Sequence, residues 1–310
     1  MKIYNDIEIL KLKNPIVSIG IFDGVHVGHR KIINRLNELA SEYNGESVIV
    51  TLWPHPRGVL QKENNNSHYL TTLEEKEYLL DKLGVDNLII LPFTRQLSEK
   101  TFSDFTKHYL INKIKAKHIV IGYNHHFGKD REGDFQYLKG ISKEYGFNVE
   151  QLSPVIVNDS YVSSSAVRQN IENGRIETAN KLLGYVYFIQ GKIVAGRKIG
   201  RKMGFPTANI NLSDSNKLLP GNGVYAVKVF IDSDEYKGML NIGTRPTIKE
   251  KCAVKTIEVH IIDFSREIYK KEVIIHFIER LREEKKFGSE KELIDQLNFD
   301  KYKVMRLLSK

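Results

Sequence analysis

Cysteine is nearly missing from this chain: Cys252 stands alone among 310 residues. A lone cysteine excludes a disulfide framework, fits a reducing compartment and reads as a packing or surface residue. Long apolar runs are missing as well. No stretch approaches the roughly 18 consecutive apolar residues that a membrane span needs. The opening MKIYNDIEILKLKNP has no cationic segment followed by an apolar one, so no signal peptide is expected. A cytoplasmic protein with no membrane partner is the resulting expectation. Low-complexity tracts and long blocks of one charge are also absent, and the polar stretch QKENNNSH, Gln61 to His68, reads as an exposed loop.

What is present is an apolar content of 41%, enough for a sizeable core, in a chain long enough for two ordinary domains. The formal net charge of +9 favours anionic ligands: phosphates, nucleotides or nucleic acid. Strand-like and helix-like patterns alternate through the first part. PIVSIGIF, ESVIVTLW, VDNLIILPF, AKHIVIG and FNVEQLSPVIV are apolar runs. Between them HRKIINRLNELASEY, TTLEEKEYLLDKLG, TFSDFTKHYLINKI and GDFQYLKGISKEYG carry apolar residues at helical spacing, and SSSAVRQNIENG opens with helix-capping serines. Strand-helix repetition with continuously apolar strands predicts a doubly wound parallel sheet, an α/β architecture. After Gly184 the pattern changes. YFIQGKIVAG, GVYAVKVFI, YKGMLNIG, KTIEVHIIDF and EVIIHFIERL succeed one another with only turns between, which predicts an antiparallel all-β barrel or sandwich. The tail from Ser289 carries Glu292 three residues on, a capping-box pair opening a closing helix. The boundary is expected near residues 183–187, giving domains 1–184 and 185–310.

Two stretches hold the chemistry. GIFDGVHVGHR, Gly20 to Arg30, lies where the run PIVSIGIF hands over to a helix. In an open α/β sheet that end of the strand is where ligands bind. Gly24 and Gly28 allow tight turns beside a ligand, and the helix N-terminus offers N–H groups to phosphate. His26 and His29 can donate hydrogen bonds to phosphate oxygens as charge builds in a transition state. A histidine there can also simply cap or pack, and a metal is a further alternative, although no nearby cluster completes a zinc site. The stretch is neither a P-loop nor a dinucleotide fingerprint. GRKIGRKMGFPTANI, Gly196 to Ile210, interleaves glycines with Arg197, Lys198, Arg201 and Lys202 and reads as a mobile cationic loop suited to covering phosphates, or as a nucleic-acid patch or plain basic hairpin. Thr207 and Asn209 offer the hard oxygens that Mg²⁺ prefers.

His26-Val27-Gly28-His29 resembles the H-x-G-H signature of the nucleotidyltransferase superfamily. The longer GIFDGVHVGH is similar to the bacterial bifunctional riboflavin kinase/FAD synthetase family. WPHP (Trp53 to Pro56), IGYNHHFGKDREG (Ile121 to Gly133) and SSSAVR (Ser163 to Arg168) resemble further motifs of that family, in the family's order. In the second half Gly204, Pro206, Thr207, Ala208 and Asn209 resemble its G-x-P-T-A-N kinase signature, and PGNGVYAV, NIGTRPT, IEVHIIDF and LREEKKF match as well. The resemblance implies a Rossmann-like nucleotidyltransferase domain, then a six-stranded antiparallel β-barrel kinase domain with a C-terminal helix.

It further implies that riboflavin is phosphorylated by ATP to FMN and that FMN is adenylylated by a second ATP to FAD, with Mg²⁺. By the same resemblance His26, His29 and Arg168 stabilise the α-phosphate. Gly20, Phe22, Asp23, Gly28, Asn124, Ser164 and Ser165 bind that ATP, and His55 meets the flavin phosphate. Gly196, Lys198, Gly200, Arg201 and Gly204 form the kinase phosphate loop, Thr207 and Asn209 hold the metal, and Glu258 is the kinase base. Alternation in TIEVHIIDF puts Glu258 and His260 on one face. Asn124 stands where the family often has Asp, Ser165 and Ala166 depart from its S-S-T-x-I-R, and Lys270 stands where it usually has Gly; lysine there implies an ordinary turn or a slightly altered barrel edge. A kinase whose first domain is inactive or altered is the alternative, and a basic binding protein without turnover a third reading, weakened by the lack of a stacking platform or helix-turn-helix. Small-molecule partners, no nucleic acid, and a monomer or weak homo-oligomer are expected.

Overall fold

A computed structural model of the chain describes residues 1–8, 10–60, 68–123, 134–196, 199–245 and 254–309. Asn124 with the rest of 125–133, the pair Arg197 and Lys198, Pro246 and Thr247, Cys252 and the polar residues 61–67 lie outside the described residues. Contacts divide the chain into two compact units, Met1–Ser164 and Ser165–Lys310.

The first unit runs β1 (Lys2–Tyr4), β2 (Pro15–Ile19), α1 (Val27–Glu42), β3 (Glu46–Trp53), α2 (Pro56–Leu60), α3 (Leu73–Lys82), β4 (Asn87–Pro92), α4 (Arg95–Ser98) and α5 (Phe102–Phe105). A π-helical segment, Thr106–Lys113, comes next, then β5 (His118–Gly122), α6 (Phe135–Tyr145), β6 (Asn148–Leu152) and the small hairpin β7 (Ile156–Val157) and β8 (Ser160–Tyr161). The six longer-range strands pair in parallel, in the order β1-β4-β3-β2-β5-β6. Alternate residues of the same strands fill two cores. Val17, Val48, Val50 and Ile89 face Phe102, Phe105 and Leu138 on one side. Ile16, Ile49 and Leu88 face Ile33 and Leu36 of α1 and Leu80 of α3 on the other. Burial on both faces is why these strands read as continuous apolar runs. The chain steps outward from β2 through β3 to β4 and then returns to β5 on the other side of β2, which makes the β2–β5 crevice the topological switch point.

Three local features differ from the sequence reading. β1 precedes the strand expected to be first; three residues, mostly exposed, leave little apolar signal. The run 147–157 is interrupted after Leu152, because Pro154 has no N–H to give a ladder. The expected helix over 101–114 switches to π geometry at Thr106.

The second unit begins with α7 (Ser164–Glu172), whose first residue belongs to the first unit, and α8 (Ile176–Leu183). Asn180 ties α8 to the barrel, its Nδ2 donating to Phe277 O at 3.0 Å and its Oδ1 accepting from Tyr187 N at 2.8 Å, and Gly221 N donates to Ile171 O of α7 at 3.1 Å. Then come β9 (Phe188–Val194), α9 (Ile199–Lys202), β10 (Ala208–Leu212), β11 (Gly223–Ile231), β12 (Asp234–Arg245), β13 (Val254–Ile261), β14 (Glu272–Arg282) and α10 (Glu290–Leu307). The six strands form a closed antiparallel barrel in the order β10-β13-β12-β11-β14-β9. Ser289 caps α10, accepting from Glu292 N at 3.2 Å. The buried Asp300 of α10 takes Arg282 Nε of β14 at 2.8 Å. Lys270 corrects one expectation: its φ is +67°, the left-handed region where glycine is at ease, so its turn is not an ordinary one. Lys270 N donates to Ile193 O at 2.9 Å, which fixes that geometry before β14.

Candidate active sites

The turn after β2 is strained. Phe22, Gly24 and Val25 have φ of +50°, +82° and +37°. Non-glycine residues persist in that region only where surroundings over-determine them, and Asp23 supplies the restraint. Its buried Oδ1 accepts from Leu70 N at 2.8 Å and Thr71 N at 3.2 Å, Gly24 N donates to Thr71 Oγ1 at 3.1 Å, and Ser164 Oγ donates to Asp23 O at 2.9 Å. The receiving segment is itself fixed by the capping box of Thr72 and Glu75 that opens α3. Asp23 and Ser164 therefore build the turn with the same polar atoms a ligand would seek.

The turn delivers His26 to the N-cap of α1. Its Nδ1 accepts from His29 N at 3.3 Å, and the two imidazoles stack with centroids 3.6 Å apart. An accepting Nδ1 carries no proton, so the ring's hydrogen sits on Nε2 and is available to a ligand. Burial pushes the His26 pKa down to about 4, against an opposing pull from Asp23. His26 is thus a neutral donor at physiological pH. Gly28 is needed for this packing: a Cβ there would lie 3.1 Å from both Cε1 and Nδ1 of His26.

Gly20, Phe22, Asp23, His26, Gly28 and His29 line one cavity of about 1040 Å³, together with His55 and Ser164. That is the top of the range for a single small-molecule pocket. His55, after β3, accepts from Arg57 N through Nδ1 at 3.2 Å and turns Nε2 toward Asp23 Oδ2 at 3.8 Å. Ser165, exposed, and Arg168, half-buried, come next on α7 in the second contact unit. The sequence reading missed Phe93, Leu97 and Phe105, apolar residues that also line the cavity. Nothing in their local pattern distinguishes them from core residues.

The barrel has a second constellation. Glu258 of β13 sits across from Asn209 of β10 on one side and Asn241 of β12 on the other. Thr207 Oγ1 donates to Glu258 Oε2 at 3.4 Å, and His260 Nδ1 lies 2.8 Å from Pro206 O. The two strand residues thus reach adjacent residues of the P-T-A-N stretch, as their shared face requires. Burial lowers the His260 pKa, which keeps the ring neutral and leaves it a hydrogen-bonding prop. Gly196 lies so close to Asn209 that a Cβ would stand 1.9 Å from its Nδ2. Gly200 and Arg201 lie on α9, a single helical turn where a mobile loop was expected, and Gly204 is in the turn after it. Among the described residues no cluster of three His, Cys, Asp or Glu side chains could hold a metal ion, and no helix is long and apolar enough to cross a membrane.

Comparison with known proteins also treats the two halves separately. The FAD synthetase family model matches residues 9–166, and the riboflavin kinase model matches residues 183–308. Similar curated proteins include the bifunctional riboflavin kinase/FMN adenylyltransferases of Bacillus subtilis, 35% identical over 95% of this chain and 92% of that protein, and of Haemophilus influenzae, 37% identical over 93% of this chain and 92% of that one. A crystal structure described as a macrolide-efflux protein from Streptococcus pneumoniae has a TM-score of 0.87, with 29% identity and 97% of each chain covered. Two family models, one on each half, and relatives matched almost end to end lead to one conclusion: the chain belongs to the bifunctional riboflavin kinase/FMN adenylyltransferase family.

Proposed function

We propose that this chain makes FMN from riboflavin and ATP in its barrel, and FAD from FMN and a second ATP in its parallel-sheet unit. The observation that carries the reading is that each family model falls on a different half, and each half holds its own constellation of polar side chains suited to phosphate chemistry.

In the kinase step the ribityl 5′-hydroxyl oxygen forms a bond to the γ-phosphorus, the bond to the ADP oxygen breaks, and the hydroxyl proton leaves. An alcohol is a weak nucleophile at neutral pH, so a positioned carboxylate helps remove that proton. Glu258 is the assigned base, held beside Thr207. Thr207 and Asn209 are hard oxygen donors suited to Mg²⁺, and Gly196 packs directly against the Asn209 amide, where any side chain would displace it. When bound, the ion would neutralise phosphate charge. Gly196, Lys198, Gly200, Arg201 and Gly204 are assigned to the ATP phosphates.

In the adenylyl step a phosphate oxygen of FMN attacks the α-phosphorus and pyrophosphate leaves. That nucleophile is already ionised, so no base is needed; the requirement is orientation and a donor at the crowded phosphate. The Nε2–H of neutral His26, backed by the His29 ring, fits that task. His29 and Arg168 are assigned to the same phosphate. Gly20, Phe22, Asp23, Gly28, Asn124, Ser164 and Ser165 are assigned to the nucleotide, and His55 to the flavin phosphate.

Chromatography of riboflavin incubated with the full chain, ATP and Mg²⁺ tests the reading. FMN followed by FAD is expected. FMN alone would favour a kinase with an altered first unit, and neither product would overturn the reading.

A further inference from the structure

One lysine of α3 does not reach solvent. Lys76 has glutamates on both sides in sequence, yet it is 1% exposed and ranks among the largest fully buried side chains. Its Nζ donates to Thr51 Oγ1 at 3.3 Å and lies 5.4 Å from the centre of the Trp53 ring, both on β3. Thr51 Oγ1 in turn donates to Ile21 O at 3.2 Å. Ile21 lies between Gly20 and Phe22, at the start of the strained turn that carries His26. An N–H···O–H···O=C relay therefore runs from the buried amine to the backbone of the cavity wall.

Among the described residues, few charged and titratable groups face this amine. Asp23 of the turn is the main charge favouring its protonated form, and Glu77 of its own helix adds to that. β3 contributes Thr51 and Trp53, neither of which titrates in an ordinary range. Beyond Asp23 stands His55, with Nε2 3.8 Å from Asp23 Oδ2. Burial works against these charges and brings the Lys76 pKa down to about 8. An apolar side chain of similar length would fill the same space without desolvating a charge, so the ammonium calls for a reason in the site above it.

We propose that Lys76 is a positioning residue for adenylyl transfer: through Thr51 it holds the Ile21–Asp23 backbone in place, and its charge offsets the Asp23 carboxylate beneath the cavity that receives the nucleotide phosphates. The inference rests on the adenylyltransferase reading of that cavity. Without the ammonium, a buried carboxylate faces incoming polyanions in a medium that screens it poorly. Phosphate-bearing substrates then bind less well, and the turn loses one of its restraints.

The test uses full-length wild type, Lys76→Met and Lys76→Arg. FAD formation from supplied FMN and FMN formation from riboflavin are measured on the same preparations. Lys76→Met is expected to lower kcat/KM for FAD formation roughly ten-fold, the scale of one lost hydrogen bond to a charged group, with higher KM for both ATP and FMN. Its kinase step stays unchanged. Lys76→Arg restores most of the adenylyl activity. The wild type loses FAD formation as the pH rises through about 8, whereas Lys76→Arg keeps it, because guanidinium does not deprotonate there. Unchanged KM values in Lys76→Met overturn the inference. If Lys76→Met does not fold, the pH comparison decides alone: the same alkaline profile in wild type and Lys76→Arg overturns it. A wild type that forms no FAD overturns the adenylyltransferase reading, and this inference with it.

Discussion

Acid should weaken the parallel-sheet unit through one imidazole. His26 is buried, and its pKa falls from 6.5 to about 4 on folding. In the unfolded chain the same ring takes up a proton near 6.5. Between those values the unfolded state binds a proton that the folded state refuses, so stability is full above pH 6.5 and drains away as the pH falls toward 4. The interval corresponds to about 3 kcal/mol, at roughly 1.4 kcal/mol per pH unit. His26→Asn is the informative variant. Asparagine also caps a helix N-terminus, so the α1 cap is kept while the titrating ring is removed. Trp53 is the single tryptophan of the chain and ends β3, so its fluorescence during urea unfolding reports on this unit alone. Other buried histidines, such as His118, whose pKa burial also lowers, cancel in the comparison. Between pH 7.5 and 4 the stability of wild type relative to His26→Asn should shift by about 3 kcal/mol in favour of the variant. A stability difference that stays constant across that range would refute the reasoning, as would an NMR titration of His26 with a midpoint near 6.5.

Three further outcomes are expected from the geometry. Gly28→Ala should displace the His26 ring by a few tenths of an ångström, because the new Cβ would sit 3.1 Å from two ring atoms; FAD formation should fall severalfold, as misplaced catalytic groups do, while FMN formation is unaffected in the same tube. Glu258→Ala should abolish FMN formation from riboflavin yet leave FAD formation from supplied FMN; loss of both in a folded variant would contradict independent sites. Lys270→Gly should raise barrel stability by about 0.5 kcal/mol, relief of the left-handed strain outweighing the greater freedom of glycine in the unfolded chain; a lower melting temperature would speak against strain at that turn.

Much of the architecture could be read from apolar runs. The inner strands of the first unit are buried on both faces, so their sequence signal is unbroken, and the barrel strands succeed one another with only turns between. One cap was equally legible: Ser289 with Glu292 announces α10 by side-chain chemistry alone. H-x-G-H was legible because His29 N donates to His26 Nδ1 within one turn, whereas P-T-A-N stood out by residue type alone, its partners Glu258 and His260 lying on a distant strand. The features that escaped depend on distant partners. Lys76, between two glutamates, looks like a solvated helix charge, and only the turn after β2 and the end of β3 bury it. Lys270 adopts a glycine-like conformation because its N–H is held by Ile193 on another strand. The apolar cavity residues Phe93, Leu97 and Phe105 are brought to the histidines by sheet order, which no local pattern encodes.

The closed barrel also dictates when the second unit can finish folding. β9 pairs with β14, Gln190 opposite Ile274, so the seam joins residues 84 positions apart. At a synthesis rate of about 5–20 residues per second, β9 waits several seconds for its second partner. During that interval one of its edges presents unpaired backbone groups to any strand nearby. The parallel-sheet unit waits as long: Ile16 of β2 stands opposite His118 of β5. Ring closure is therefore a late, aggregation-exposed step in the birth of the barrel.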